Sequence, residues 1–259
     1  MIDFHVHITP PQFLSKILRP EGVTLPDDLS AAGIKKALKE MGVTHAVIQH
    51  EVVRPGETKA TNDFARELAK DDDGFFIHFG GFYPGEDPDD LKLLERDVFY
   101  GVKLHPCLQR FAIDDKMMYP VYETLSSLKL PVLFHTGVEI EDPNMTFAFP
   151  DRILNVHRDF PDLTIIAAHL GAFCMYDAAE SLIAGTDMYI DISGSHAFCH
   201  DPKQYERILR KHDPDKILFG SDYVYCSPLD ELKYLESLNL ESDLMDKILY
   251  KNAQRLLNI

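Results

Sequence analysis

The first seven residues, Met1-Ile2-Asp3-Phe4-His5-Val6-His7, place two imidazoles one residue apart. Ile2, Phe4 and Val6 alternate with Asp3, His5 and His7, and a period of two predicts a strand with the three polar residues on one face. His5 and His7 then stand about 7 Å apart along the strand. Two neutral imidazoles at that spacing can hold one metal ion, and the remaining ligands decide between Zn, Mn, Fe and Ni. His-x-His alone is a weak signal, because two polar strand residues need no metal. It strengthens along the chain, where Lys103, His105, His135, His169 and Asp222 each close an otherwise apolar run. Asp3, one layer deeper, either fixes an imidazole tautomer or is an ordinary buried polar group.

These residues need elements to carry them. Strands are predicted over 2–7, 44–50, 75–80, 100–105, 131–136, 163–169, 187–193 and 216–222. Amphipathic helical patterns fall between them over 29–41, 58–70, 88–97, 116–129, 150–159, 173–184, 201–212 and 228–238, with a pair near 241–249 and 250–258. The first helix has Asp27 and Asp28 as capping candidates and stops at Gly42. Eight β-then-α units predict one closed (β/α)8 barrel, a TIM barrel, spanning 1–259. An open doubly wound sheet is the alternative, but no Gly-rich phosphate turn follows the first strand. In a barrel the strand ends above deliver their polar groups to the C-terminal mouth, where catalytic sites lie. Ala167 and Gly220, two residues before His169 and Asp222, are expected to sit beneath a metal. The longest strand-to-helix connections, 8–28 with four prolines and 137–149 with Met145, Phe147 and Phe149, are candidate lids.

Composition bounds the partners. The 259 residues are 45% hydrophobic and carry a formal net charge of -16, which argues against nucleic acid or an anionic membrane, since both call for basic patches. No stretch approaches the roughly 18 apolar residues of a membrane span, and no basic-then-apolar leader opens the chain. The expectation is a cytoplasmic protein acting on a small molecule, with a homodimer left open. Cys107, Cys174, Cys199 and Cys226 have no C-x-x-C spacing and are expected as free thiols after strands 4, 6, 7 and 8, close enough to the site for oxidants to matter.

Seven stretches, MIDFHVH, GVKLHP (101–106), LPVLFHTG (130–137), FPDLTIIAAHLG (160–171), MYIDISG (188–194), KILFGSDY (216–223) and NAQRLL (252–257), together resemble the amidohydrolase superfamily. More specifically, they resemble the amidohydrolase-related group that includes aminocarboxymuconate-semialdehyde decarboxylase-like enzymes. The resemblance spans nearly the whole chain. It implies a divalent metal, usually zinc, at the mouth of the barrel, with His5, His7, His135 and Asp222 as ligands and His169 orienting or deprotonating the water.

Three imidazoles and one carboxylate would leave a divalent ion with a net charge of about +1, enough to lower the pKa of a bound water toward 7. Asp222 would also accept the water's proton, and His169 would donate to the oxyanion or leaving group. Hydrolysis of a small, anionic amide, lactone or ester is the first expectation. Non-oxidative decarboxylation of an unsaturated or aromatic carboxylate is the alternative, and a metal- or substrate-binding protein without catalysis the third. Lys103 and His105 are expected to bind a substrate carboxylate in a cationic mouth; Arg54, His50, His78, Arg152, His196 and Tyr223 also fall on or after strand ends. Some superfamily members carboxylate the strand-4 lysine to bridge two metals, and a second ion here would take Lys103 and His169 together with His135. The GVKLHP context favours one metal.

Overall fold

The computed structural model describes residues 1–16, 23–139, 142 and 144–259. Eight parallel strands, β1 (Ile2–Val6), β2 (His45–Gln49), β3 (Phe76–Gly81), β4 (Phe99–Leu104), β5 (Val132–Phe134), β6 (Ile165–Ala167), β7 (Tyr189–Asp191) and β8 (Ile217–Leu218), pair in sequence order. The ring closes where Phe4 N–H donates to Phe219 O (2.8 Å), Asp222 N–H to His5 O (2.8 Å) and His7 N–H to Tyr223 O (2.6 Å). This is the expected (β/α)8 barrel. Strands covered on both faces read as near-continuous apolar runs, which is why the polar residues at their ends stand out.

Two irregularities decide which side chains enter the barrel. Along β1, Asp3 lies opposite Ala46 and Val6 opposite Ile48, so β1 has one residue more than β2 between those points, the signature of a bulge. Phe4 consequently packs in the barrel interior with Val47 and Phe79, while Val6 joins Ala46 and Ile48 in the layer beneath the helices. The simple alternation read from the sequence therefore fails: Asp3 does not share the face of His5 and His7. Along β4, His78 pairs with Phe99 but Phe79 with Gly101. That slip aims Gly101 inward against Phe79, where an added Cβ would lie 2.4 Å from the ring, and two residues further on Lys103 enters the mouth.

β6 and β8 end before their predicted limits. His169 (φ 59°) and Asp222 (φ 68°) have left the strands and adopt left-handed backbone, a conformation that costs a non-glycine residue about 1–3 kcal/mol and clusters at functional sites. Ala167 accordingly packs in the outer layer rather than beneath the site. Gly220 does lie beneath it: a Cβ there would stand 3.0 Å from His5 Cβ and 3.3 Å from Ser193 Cβ.

Helices Ala31–Glu40, Thr58–Lys70, Tyr119–Leu128, Pro150–Asp159, Pro202–Lys211 and Pro228–Ser237 follow the predicted segments. The first is capped by Ser30, whose Oγ accepts from Gly33 N–H (3.1 Å), rather than by Asp27 or Asp28; Asp28 instead accepts from Ser30 N–H. The segment 88–97 forms only the 3-10 turn Pro88–Leu93. Arg66 donates to Leu93 O (2.9 Å) and to Glu95, so its guanidinium satisfies the carbonyl that a further turn would have used. The two C-terminal patterns are one helical run, Ser242–Asp246, Lys247–Lys251 and Asn252–Leu257, with a π segment in its middle. Among the described residues no helix is long and apolar enough to cross a membrane.

Candidate active site

The C-terminal ends of the strands open into a cavity of about 730 Å³, counting its open mouth, a size ordinary for a small-molecule site. Its polar wall is His5, His7, Lys103, His135, His169 and Asp222, so every residue expected to hold a metal lies in one space. Phe173, Phe198, Leu108 and Val23 supply the apolar wall. The connections expected as lids are only partly placed, since 17–22, 140, 141 and 143 fall outside the described residues. Val23, from the first of them, lines the cavity.

Ligating atoms of His5, His7 and Asp222 lie within 4.8 Å of one another. Asp222 Oδ1 is 3.0 Å from His7 Nε2 and 3.6 Å from His5 Nε2. Against burial, which would raise it, His7 and His5 hold the Asp222 carboxyl well below the usual carboxylate range. Burial together with Lys103 pushes His5 down to about 3, so it is a neutral imidazole. Lys103 is buried with its Nζ 3.2 Å from His5 Nε2 and 3.7 Å from Glu51 Oε1. A divalent cation fits this donor set: His5 Nε2 is bare, Asp222 is ionised, and His7 Nε2, which donates to Asp222 Oδ1 without metal, would give up that proton to bind.

His135 does not join that triangle. Its Nε2–H donates to Val138 O (3.2 Å), leaving Nδ1 as a lone pair aimed at His169 Nε2, 3.0 Å away. His169 Nδ1–H in turn donates to Ser193 O (3.0 Å), so its Nε2 is also a lone pair. His105 stacks on His135, with centroids 4.2 Å apart and planes 10° apart. Leu108 N–H donates to His105 Nδ1 (3.3 Å), so His105 presents an Nε2–H to the cavity, 3.4 Å from Glu139 Oε1.

Several contributors escaped sequence reasoning. Asp191, at the end of β7, accepts from His5 Nδ1–H (2.9 Å); the signal for it was the polar end of MYIDIS. Asp3 is instead turned by the β1 bulge to Ser221, accepting from its N–H (2.9 Å) and its hydroxyl, and makes no side-chain contact with the His5 or His7 imidazole. Burial raises the Asp3 carboxyl to about 7. Glu51 and Glu139, from the connections after β2 and β5, line the cavity too, and Lys103 is the one cation lining it among the described residues. The mouth is thus of mixed charge rather than cationic. Gln109 ties three connections together by donating to Val52 O and Phe82 O (both 2.7 Å) and accepting from His105 N–H (2.8 Å).

Other strand-end candidates are spent elsewhere: His50 on His78 (2.9 Å), Arg152 on Asp114 (2.6 Å) and His196 on Glu231 (2.7 Å). Arg54 is exposed and Tyr223 packs into the core. The four cysteines are free thiols. Only Cys226 lines the cavity among them, and burial raises its pKa, which makes it a poor nucleophile.

A parallel eight-stranded barrel with imidazoles, a lysine and a carboxylate gathered at its C-terminal mouth is the architecture of a barrel enzyme. The sequence model of the family described as Amidohydrolase matches residues 2–259. The chain belongs to this family and is an amidohydrolase-superfamily enzyme. Among solved structures it is similar to a protein described as an amidohydrolase II (18% identity, TM-score 0.77, covering 100% of this chain and 99% of that one). It is also similar to a probable 2-pyrone-4,6-dicarboxylic acid hydrolase from Acinetobacter baumannii with citric acid bound (16%, 0.70, 100% and 99%). A third likeness is to a dihydroxybenzoic acid decarboxylase from a Polaromonas species with bound manganese and the inhibitor 2-nitroresorcinol (17%, 0.70, 99% and 96%). No curated protein matches the sequence.

Proposed function

We propose that the protein is a metal-dependent hydrolase of a small amide, lactone or ester that carries an anionic group. The observation that carries this reading is the convergence of His5 Nε2, His7 Nε2 and Asp222 Oδ1 at the floor of the cavity, with Lys103 and His169 beside them. His5, His7 and Asp222 would hold the ion, with His135 Nδ1 as the expected fourth ligand; zinc is the expected metal, and manganese, bound by one similar decarboxylase, is another. When bound, the ion supplies Lewis acidity, polarising a substrate oxygen and lowering the pKa of a water.

The protein's own groups do the rest. Asp222, ionised at neutral pH, accepts the proton of the attacking water. His169 offers its bare Nε2 as a second base and, once protonated there, donates to the leaving group. Lys103 places a substrate carboxylate or carbonyl oxygen, and His105 Nε2–H supplies a second donor. Phe173 and Phe198, in edge-to-face contact with centroids 4.7 Å apart, pack against the apolar part of the substrate and exclude water.

The second reading, non-oxidative decarboxylation, uses the same residues and draws on the likeness to dihydroxybenzoate decarboxylases. The metal-loaded protein, offered small lactones, esters, amides and aromatic carboxylates with acid release and carbon dioxide release read in parallel, separates the two. Turnover with acid release supports hydrolysis. Carbon dioxide released together with the decarboxylated compound, without hydrolysis of any lactone, ester or amide, replaces it with the second reading, and stoichiometric metal binding without turnover across the panel would leave only a binding protein.

A further inference from the structure

Four donors converge on the buried carboxylate of Asp191. His5 Nδ1–H reaches Oδ2 at 2.9 Å, whereas the His169 backbone N–H (3.1 Å), the Ser193 backbone N–H (3.0 Å) and the Ser193 hydroxyl all reach Oδ1. The two backbone N–H groups can only donate, so Oδ1 is an acceptor, and a buried carboxyl group met by four donors is a carboxylate. An ionised carboxylate only accepts. The Ser193 hydroxyl must then donate to Asp191, and its oxygen, 3.0 Å from both His5 Nδ1 and His169 Nδ1, must accept from each of them. The hydrogen-bond polarity therefore runs in one direction through all four residues.

We propose that Asp191 is a positioning residue that sets the tautomer of His5, so that a buried carboxylate turns the His5 Nε2 lone pair toward the cavity beside that of His169, whose own tautomer is held by Ser193 O. The metal-site reading above gives this arrangement its use, since only a bare nitrogen ligates a metal or takes a proton. His5 depends on it more than His169 does, because Ser193 O also accepts from His169 Nδ1–H, whereas Asp191 Oδ2 is the one carboxylate oxygen opposite His5 Nδ1.

Asp191→Asn tests the inference. Three donors at the Oδ1 position pin the amide oxygen there, which places the amide NH2 opposite His5 Nδ1. Facing that NH2, His5 Nδ1 gains a donor, whereas an Nδ1–H would keep only Ser193 Oγ, so His5 shifts to its Nε2–H form with the proton facing the cavity. Nitrogen-15 NMR of the imidazoles in the metal-free protein reads this without reference to activity. The expected result is Nδ1–H for both His5 and His169 in the wild type, and a change to Nε2–H confined to His5 in Asp191→Asn. Zinc affinity, titrated against a competing chelator, should fall about 10–100-fold in parallel. Ser193→Ala should leave His5 as Nδ1–H, because the carboxylate remains.

A folded Asp191→Asn protein in which His5 keeps Nδ1–H and wild-type zinc affinity overturns the proposal. Where that variant fails to fold, the wild-type spectrum decides: an Nε2–H form of either imidazole overturns it, and two Nδ1–H forms together with an unchanged His5 in Ser193→Ala uphold it. A wild type that shows both Nδ1–H forms yet binds no zinc would remove the metal reading and leave the tautomer assignment standing, so the two failures are distinguishable.

Discussion

His135 Nδ1 and His169 Nε2 face each other across 3.0 Å, each as a lone pair, because Val138 O and Ser193 O take the protons at their opposite ring nitrogens. Two acceptors at that separation repel unless a positive species lies close to both. The metal-free barrel accordingly carries an electrostatic penalty at its mouth, and burial, which holds His135 well below the ordinary imidazole value, keeps that ring from taking the proton that would bridge the pair.

Divalent metal should relieve that penalty. Zinc or manganese at 100 times its dissociation constant is expected to stabilise the protein by about 2.7 kcal/mol and to raise the melting temperature by several degrees, on the scale of about 2–4 °C per kcal/mol for chains near this size. Elemental analysis should give about one equivalent, retained in Lys103→Met, if Lys103 contacts substrate. Two equivalents falling to one in that variant would instead make Lys103 a ligand of a second ion shared with His135 and His169. Less than about 0.2 equivalents of any transition metal, with no thermal shift on reconstitution, would sink the metal reading.

Asp222 and His5 should separate chemistry from binding. Asp222→Asn keeps an oxygen near His7 but loses the ionised base, so turnover of whichever panel substrate reacts should drop about 10²–10⁴-fold. His5→Ala should lose more metal than Asp222→Asn. Retained activity in Asp222→Asn would falsify the base assignment.

Gly101 has no room for a methyl group, its Cβ position being 2.4 Å from the Phe79 ring inside the barrel. Gly101→Ala is expected to destabilise by about 1–3 kcal/mol, the usual cost of overpacking, and to displace Lys103 two residues away. Urea unfolding measures the first effect; a midpoint equal to wild type would mean that the slipped β3–β4 register is wrong.

Acid should weaken the metal-free fold through buried histidines that do not line the cavity as well as those that do. Burial, with His78 beside it, holds His50 well below the ordinary imidazole value, and burial holds His78 at about 4. The unfolded chain takes these protons first, near 6.5, so stability is complete above that value and is lost as pH falls from about 6.5 toward 4. Each such imidazole adds up to about 1.4 kcal/mol per pH unit within the window. The urea midpoint should therefore drop between about pH 7.5 and pH 5.5, and His78→Gln should flatten the dependence. A midpoint that does not move with pH would show these imidazoles to be free to protonate in the fold.

The barrel itself was legible from the chain, because strands buried on both faces write themselves as apolar runs and their polar last residues mark the mouth. His5, His7, Lys103, His105, His135, His169 and Asp222 could be named from that pattern and from the family resemblance, and all seven line one cavity. Which atoms face which could not. A bulge at Phe4–His5 moved Asp3 off the expected face, and left-handed turns at His169 and Asp222 ended period-two alternation where it was being used to place them. Both depend on how neighbouring strands meet in a closed ring, which no local periodicity records. Asp191, Glu51 and Glu139 were missed for the same reason. A single carboxylate in a strand or connection carries no spacing signal, and it acquires a partner only when residues as distant as His5 and Asp191, 186 positions apart, are brought to 2.9 Å. The sequence by itself determined the architecture and the types of donor at its mouth. The tertiary structure decided their tautomers, their pairing and the charge they present to a substrate, since those follow from buried contacts between chain-distant groups.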